Sequence, residues 1–78
     1  MSTAARYIFH LITPVGGVND LAKGDFDSLD EARAEAMSVA RELMRRAASQ
    51  GRDVSAYAIE ICDEAGRPIS LVTFRQAR

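Results

Sequence analysis

The side chains of this 78-residue chain best suited to catalysis are its one histidine, His10, and its one cysteine, Cys62. A thiol that passes its proton to an imidazole becomes a nucleophile, and an imidazole titrates near neutral pH. With no second histidine and no acid fixed beside either residue, the two read instead as a half-exposed strand histidine and a small cysteine beside a turn. Asp20, Asp25, Asp27, Asp30 and Glu31 bring enough carboxylates for a hard cation. A calcium loop, however, alternates its acids and needs an internal glycine and a closing glutamate, whereas here Leu29 begins an apolar period. Gly16-Gly17 and Lys23-Gly24 are not followed by the glycine-lysine-serine or threonine of a phosphate loop. The residues therefore assign no catalytic group, no cofactor site and no metal site, and the chain reads as non-enzymatic.

Arg41 and Arg45 are candidate nucleic-acid contacts, because a basic stripe on a helix can track a phosphate backbone. Glu31, Glu35 and Glu42 interrupt the stripe, and a net charge of -1 lacks the basic excess that gripping phosphates requires. Nucleic acid is not the expected partner.

The elements that must carry these residues are legible. At about 100° per residue, Leu29, Ala32, Ala36, Val39, Ala40, Leu43, Met44 and Ala47 share one side of a helix over residues 28–50. Ser28 and Glu31 have the spacing of a capping box, and Gly51 follows the last periodic residue as a left-handed cap. Arg33 alone breaks the apolar arc, where its long stem can lie along the surface. Glu42 stands four residues before Arg46, the favoured order for a helical ion pair.

Residues 6–12, 57–62 and 69–74 alternate as strands, with Tyr7, Phe9 and Leu11 on one side of the first and Ile8, His10 and Ile12 on the other. Asp63-Glu64-Ala65-Gly66 reads as a type I turn with glycine at the bulge position. Counting outward from it pairs Ile61 with Ile69, Ile59 with Leu71 and Tyr57 with Thr73 on the buried face, and Glu60 with Ser70 on the other. Residues 18–26 hold weak strand formers and predict a short fourth strand at an edge.

The resulting expectation is one α+β domain over residues 1–78: an antiparallel sheet of three to four strands with one long helix on one face, ββαββ, order 2-1-3-4. Loose ends are expected at 1–5 and 76–78. The expected core is Tyr7, Phe9, Leu11, Leu29, Ala32, Ala36, Ala40, Leu43, Ala47, Ile59, Ile61, Ile69 and Leu71. On this register the uncovered sheet face presents Ile8, His10, Ile12, Val72 and Phe74, an apolar area of the kind that marks an interface. A hydrophobic fraction of 47% suits a soluble globular chain, and no run is long enough to span a bilayer. A single cysteine agrees with a reducing compartment, so the expected setting is cytoplasmic.

Arg6-Tyr7-Ile8-Phe9-His10-Leu11, Leu29-Asp30-Glu31-Ala32-Arg33-Ala34-Glu35-Ala36 and Asp63-Glu64-Ala65-Gly66-Arg67 together resemble a family of small bacterial proteins classed only as a domain of unknown function. The resemblance covers nearly the whole chain and implies this fold and a bacterial setting, with no established activity, cofactor or catalytic residue. Gly24-Asp25 with Ser28-Leu29-Asp30-Glu31-Ala32 also looks like the segment leading into the helix of HicB-type antitoxins. The expected function is a non-enzymatic protein-interaction or regulatory module that binds itself, as a homodimer, or a small protein partner through the uncovered face. The alternative is a HicB-like antitoxin or nucleic-acid binder using the helix arginines.

Overall fold

The computed structural model describes residues 4–78. Strands β1 (Ala5–Ile12) and β2 (Val18–Phe26) form a hairpin, helix α1 (Leu29–Ser49) crosses over, and β3 (Ala58–Cys62) and β4 (Pro68–Thr73) form a second hairpin. The sheet is antiparallel in the order β2-β1-β3-β4, the α+β arrangement expected. The loose N-terminal end falls partly on residues 1–3, outside the described residues; Ala5 already belongs to β1.

The helix is bounded by the chemistry written at its ends. Ser28 is extended, and its Oγ accepts from the Glu31 N–H at 3.1 Å. Glu31 reaches back one residue further than a simple box, to the Asp27 N–H at 3.1 Å. At the other end Gly51, at φ 72°, lets the Arg52 N–H reach the Ala47 carbonyl at 2.8 Å and its own N–H reach Ala48 at 3.0 Å. This pair of bonds is a Schellman cap, which a residue with a Cβ would strain. Ala32, Ala36 and Ala40 are wholly buried against the sheet. Small side chains at this spacing let the helix backbone lie close to Phe9, Ile59 and Ile61.

Both hairpins close on the same turn. Thr13 N–H donates to the Gly17 carbonyl at 3.1 Å, and Asp63 N–H to the Arg67 carbonyl at 2.9 Å. Thr13 Oγ1 and Asp63 Oδ1 each accept from the backbone N–H four residues on. Gly16 (φ 84°) and Gly66 (φ 86°) take the left-handed position of each turn.

The second hairpin corrects the expected register. The turn sets Cys62 opposite Pro68 as counted from sequence, but the ladder then shifts, so Ile61 faces Ser70, Ile59 faces Val72 and Ala58 faces Thr73. Ile69 is the extra residue of a β-bulge, directly after a proline that has no N–H for the ladder. One added residue turns every later side chain to the opposite face. Val72 and Phe74, expected on the open face, are therefore fully buried under the helix. Ile69 and Leu71, expected in the core, are 43% and 50% exposed. Ser70 now faces the helix, where its Oγ accepts from the Arg33 guanidinium, the polar group that the apolar arc carried.

Two further expectations are revised. β2 is nine residues long, though at the edge as expected. Phe26 holds it in place by stacking on Phe9 with ring centroids 5.8 Å apart and by packing against Tyr7 at 6.1 Å, contacts that outweigh the weak strand propensity of its neighbours. The C-terminal end is tied down as well: Ala77 is wholly buried, its N–H donates to the Phe74 carbonyl, and its own carbonyl accepts from Arg41 at 3.3 Å.

The register makes a sharp prediction. Phe74→Ala should cost about 3–5 kcal/mol in chemical denaturation, the range for a buried aromatic, whereas Leu71→Ala should stay within about 0.5 kcal/mol. Equal costs at the two positions would restore the unbulged ladder.

Candidate functional site

Residues opposite one another on antiparallel neighbours share a face, so the registers set out the uncovered side of the sheet in rows. Val18, Ile12, Ala58 and Thr73 form one row, and Asp20, His10, Glu60 and Leu71 the next. Lys23, Ile8, Cys62 and Pro68 form a third. A polar row thus runs between two rows that are largely apolar.

Within the polar row the imidazole stands between two carboxylates. His10 Nε2 is 3.4 Å from Asp20 Oδ1, and Nδ1 is 3.8 Å from Glu60 Oε1. Cys62 lies two residues from Glu60 on β3, and alternation returns its side chain to the same face. Its Sγ is 3.6 Å from His10 Nδ1 and 3.5 Å from Glu60 Oε1. Asp20 is almost fully exposed, the His10 and Glu60 side chains are about one quarter to one third exposed, and Cys62 is buried. The β2 side of this row opens on a shallow depression of about 340 Å³ lined by Ile8, His10, Asp20, Leu21, Ala22 and Lys23.

His10 and Cys62 therefore meet across the sheet, which sequence spacing left open. Their surroundings do not favour a nucleophile. Burial pushes the Cys62 thiol pKa up, and the hydrogen bond to Glu60 and the charges of Glu60 and Asp63 push it the same way. A reactive cysteine needs the reverse, an electropositive and accessible setting that stabilises thiolate.

Of the expected interface residues, Ile8, His10 and Ile12 lie on this face, partly exposed. Val72 and Phe74 do not, for the bulge places them in the core. Their places are taken by Leu71 and by Ile69, and Val18 at the far edge is 61% exposed. Sequence reasoning left out Glu60 and Asp20 as neighbours of His10. The signal for Asp20 was present in Thr13-Pro14-Val15-Gly16-Gly17, since the turn closing Thr13 on Gly17 sets His10 opposite Asp20. Glu60 shares strand parity with Cys62, but only the β1 and β3 pairing brings it beside His10.

The remaining candidates disperse. Arg41 is committed to the Ala77 carbonyl. Arg45 and Arg46 both close on Glu42, with Nη2 of Arg45 at 2.5 Å and Nε of Arg46 at 3.1 Å from Glu42 Oε1. The Arg45 hydrogen bond, joined by that of Arg46, holds the Glu42 carboxyl down at about 2. Asp25 pairs with Arg6 at 3.2 Å, while Asp30 and Glu31 occupy the first turn of α1. The acids therefore face different ways instead of converging on one cation.

Residues 6–75 match the family described as a domain of unknown function (DUF6894), and the chain belongs to it. No curated protein and no solved structure matches the chain. Among the described residues, no helix is long and apolar enough to cross a membrane.

The setting of Cys62 has two measurable consequences. At neutral pH a thiol reagent should label the native chain at least about tenfold more slowly than the denatured chain, because access and thiolate are both suppressed. The folded-state pKa is raised, so the stability this thiol contributes is fully present below its ordinary pKa. It is lost as pH rises past that value. Alkaline denaturation should accordingly be blunted in Cys62→Ala, and an unchanged alkaline limb would contradict the burial.

Proposed function

We propose that this DUF6894 member is a non-enzymatic interaction module that pairs with a second copy of itself through the uncovered sheet face. The observation that carries this reading is the pattern of exposure on that face. Val18, Ile69 and Leu71 stand 61%, 43% and 50% exposed around the half-buried Ile8 and Ile12, while the helix covers only the opposite side. Two largely apolar rows with a polar row between them make a mixed surface on which exposed apolar side chains favour docking.

The charges favour self-pairing. Lys23 lies toward one end of the face, where Arg6 is already paired with Asp25, and Asp20 and Glu60 lie in the polar row beside it. In a two-fold dimer the same patch meets itself in reverse, so basic and acidic groups on one copy can oppose their counterparts on the other.

The nucleic-acid alternative, including an antitoxin of the HicB type, draws no support from the helix arginines. Arg45 and Arg46 share the Glu42 carboxylate, and Arg41 donates to the Ala77 carbonyl.

Molar mass by light scattering should rise toward twice the chain mass as concentration is raised. Leu71→Asp combined with Val18→Asp should return it to the monomer without lowering the melting temperature by more than a few degrees, since both side chains are exposed. A wild-type chain that stays monomeric at its highest soluble concentration would remove the reading.

A further inference from the structure

We propose that His10, Glu60 and Cys62 form a zinc-binding site on the uncovered face, with His10 Nδ1, a Glu60 carboxylate oxygen and Cys62 Sγ as ligands and Asp20 holding the far side of the imidazole. This goes beyond the self-pairing reading and does not depend on it.

The first argument is the ligand triangle. Zinc sits about 2.0–2.1 Å from a histidine nitrogen, about 2.3 Å from a thiolate and about 2.0–2.2 Å from a carboxylate oxygen, in a tetrahedron. Those lengths imply ligand-to-ligand separations of about 3.3–3.7 Å. The three atoms here are 3.6 Å (Sγ to Nδ1), 3.5 Å (Sγ to Oε1) and 3.8 Å (Nδ1 to Oε1) apart. A small cation therefore fits at the centre after a side-chain adjustment of a few tenths of an ångström at Glu60. The backbone is already in place, because His10 and Glu60 are direct partners on paired strands and Cys62 follows two residues on.

The second argument is donor chemistry. An imidazole, a thiolate and one carboxylate make a borderline-soft set that suits zinc and is poorly matched to calcium or magnesium, which take oxygen ligands. The third is the outer shell. Metal-bound histidines characteristically donate their other N–H to a carboxylate, and His10 Nε2 lies 3.4 Å from Asp20 Oδ1. With the proton on Nε2, facing Asp20, the Nδ1 lone pair would be free for a cation on the side of Cys62 and Glu60.

On binding, the Zn–S bond forms as the thiol proton leaves to solvent, and the thiolate and carboxylate together balance the charge of the ion. Three protein ligands leave a fourth position for water on the open side of the sheet.

The chain titrated with Co²⁺ should show a thiolate-to-cobalt charge-transfer band that saturates at one equivalent and is abolished in Cys62→Ser. Zn²⁺ should displace the cobalt, protect the single thiol from alkylation, shift the resonances of the single histidine and raise the melting temperature. Glu60→Gln should weaken zinc at least about tenfold, and so should Asp20→Asn, whose exposed position spares the fold. Circular dichroism confirms folding of each variant. Absence of the band, zinc affinity unchanged in Glu60→Gln and Cys62→Ser, or one ion shared by two chains would each overturn the site. Molar mass measured with and without zinc separates this result from the dimer, because metal binding to a monomer supports the site while removing the self-pairing reading.

Discussion

The close seat of α1 on the sheet is the constraint from which the rest of this small domain follows. Ala32, Ala36 and Ala40 present almost no side-chain thickness, so Phe9, Ile59, Ile61, Val72 and Phe74 pack directly under the helix. A chain of this size has one core, and nearly all of its fully buried large side chains are in that layer. The polar groups that border the seam are answered. Arg33 meets Ser70, Arg41 meets the Ala77 carbonyl, and no buried side-chain nitrogen or oxygen among the described residues lacks a partner.

The demand of that layer decides the register of both edge strands. In each hairpin a five-residue turn with glycine in the left-handed position sets the first pairs, and an extra residue then intervenes on the outer strand. In β2 the extra residue is Leu21, after which Ala22 and Gly24 face the helix side and Phe26 reaches Phe9. In β4 it is Ile69, after which Val72 and Phe74 do so. Placing Phe74 beside Tyr57, with centroids 5.8 Å apart, buries a larger aromatic surface than Ile69 could. Local turn geometry and global packing ask for different registers, and a bulge reconciles them at the cost of leaving Ile69 and Leu71 exposed.

The same two ladders create the chemistry of the open face. Turn-proximal pairing puts Asp20 opposite His10, and the central pairing of β1 with β3 puts Glu60 on its other side with Cys62 diagonal to it. The outcome is a histidine, two carboxylates and a thiol gathered from three strands, flanked by apolar rows. Burial and the neighbouring acids push the thiol pKa up, which disfavours nucleophilic attack by Cys62.

What the sequence determined is everything that depends on near neighbours. The helix and both its caps, the alternation of the strands, the position of the second turn and the β2-β1-β3-β4 order could all be read from spacing. Each rests on interactions within a few residues or on a general packing rule. The outward placement of Ile8, His10 and Ile12 followed from the same alternation. Only the tertiary structure decided the bulge at Ile69, and with it the exchange of Ile69 and Leu71 for Val72 and Phe74 in the core. Both faces of β4 are apolar, so its own residues offer no preference, and the helix chooses between them. The meeting of His10 with Glu60 and Cys62 lies beyond local reading for a related reason. About fifty residues of chain separate these partners, and their register is set by how two hairpins pack beneath one helix.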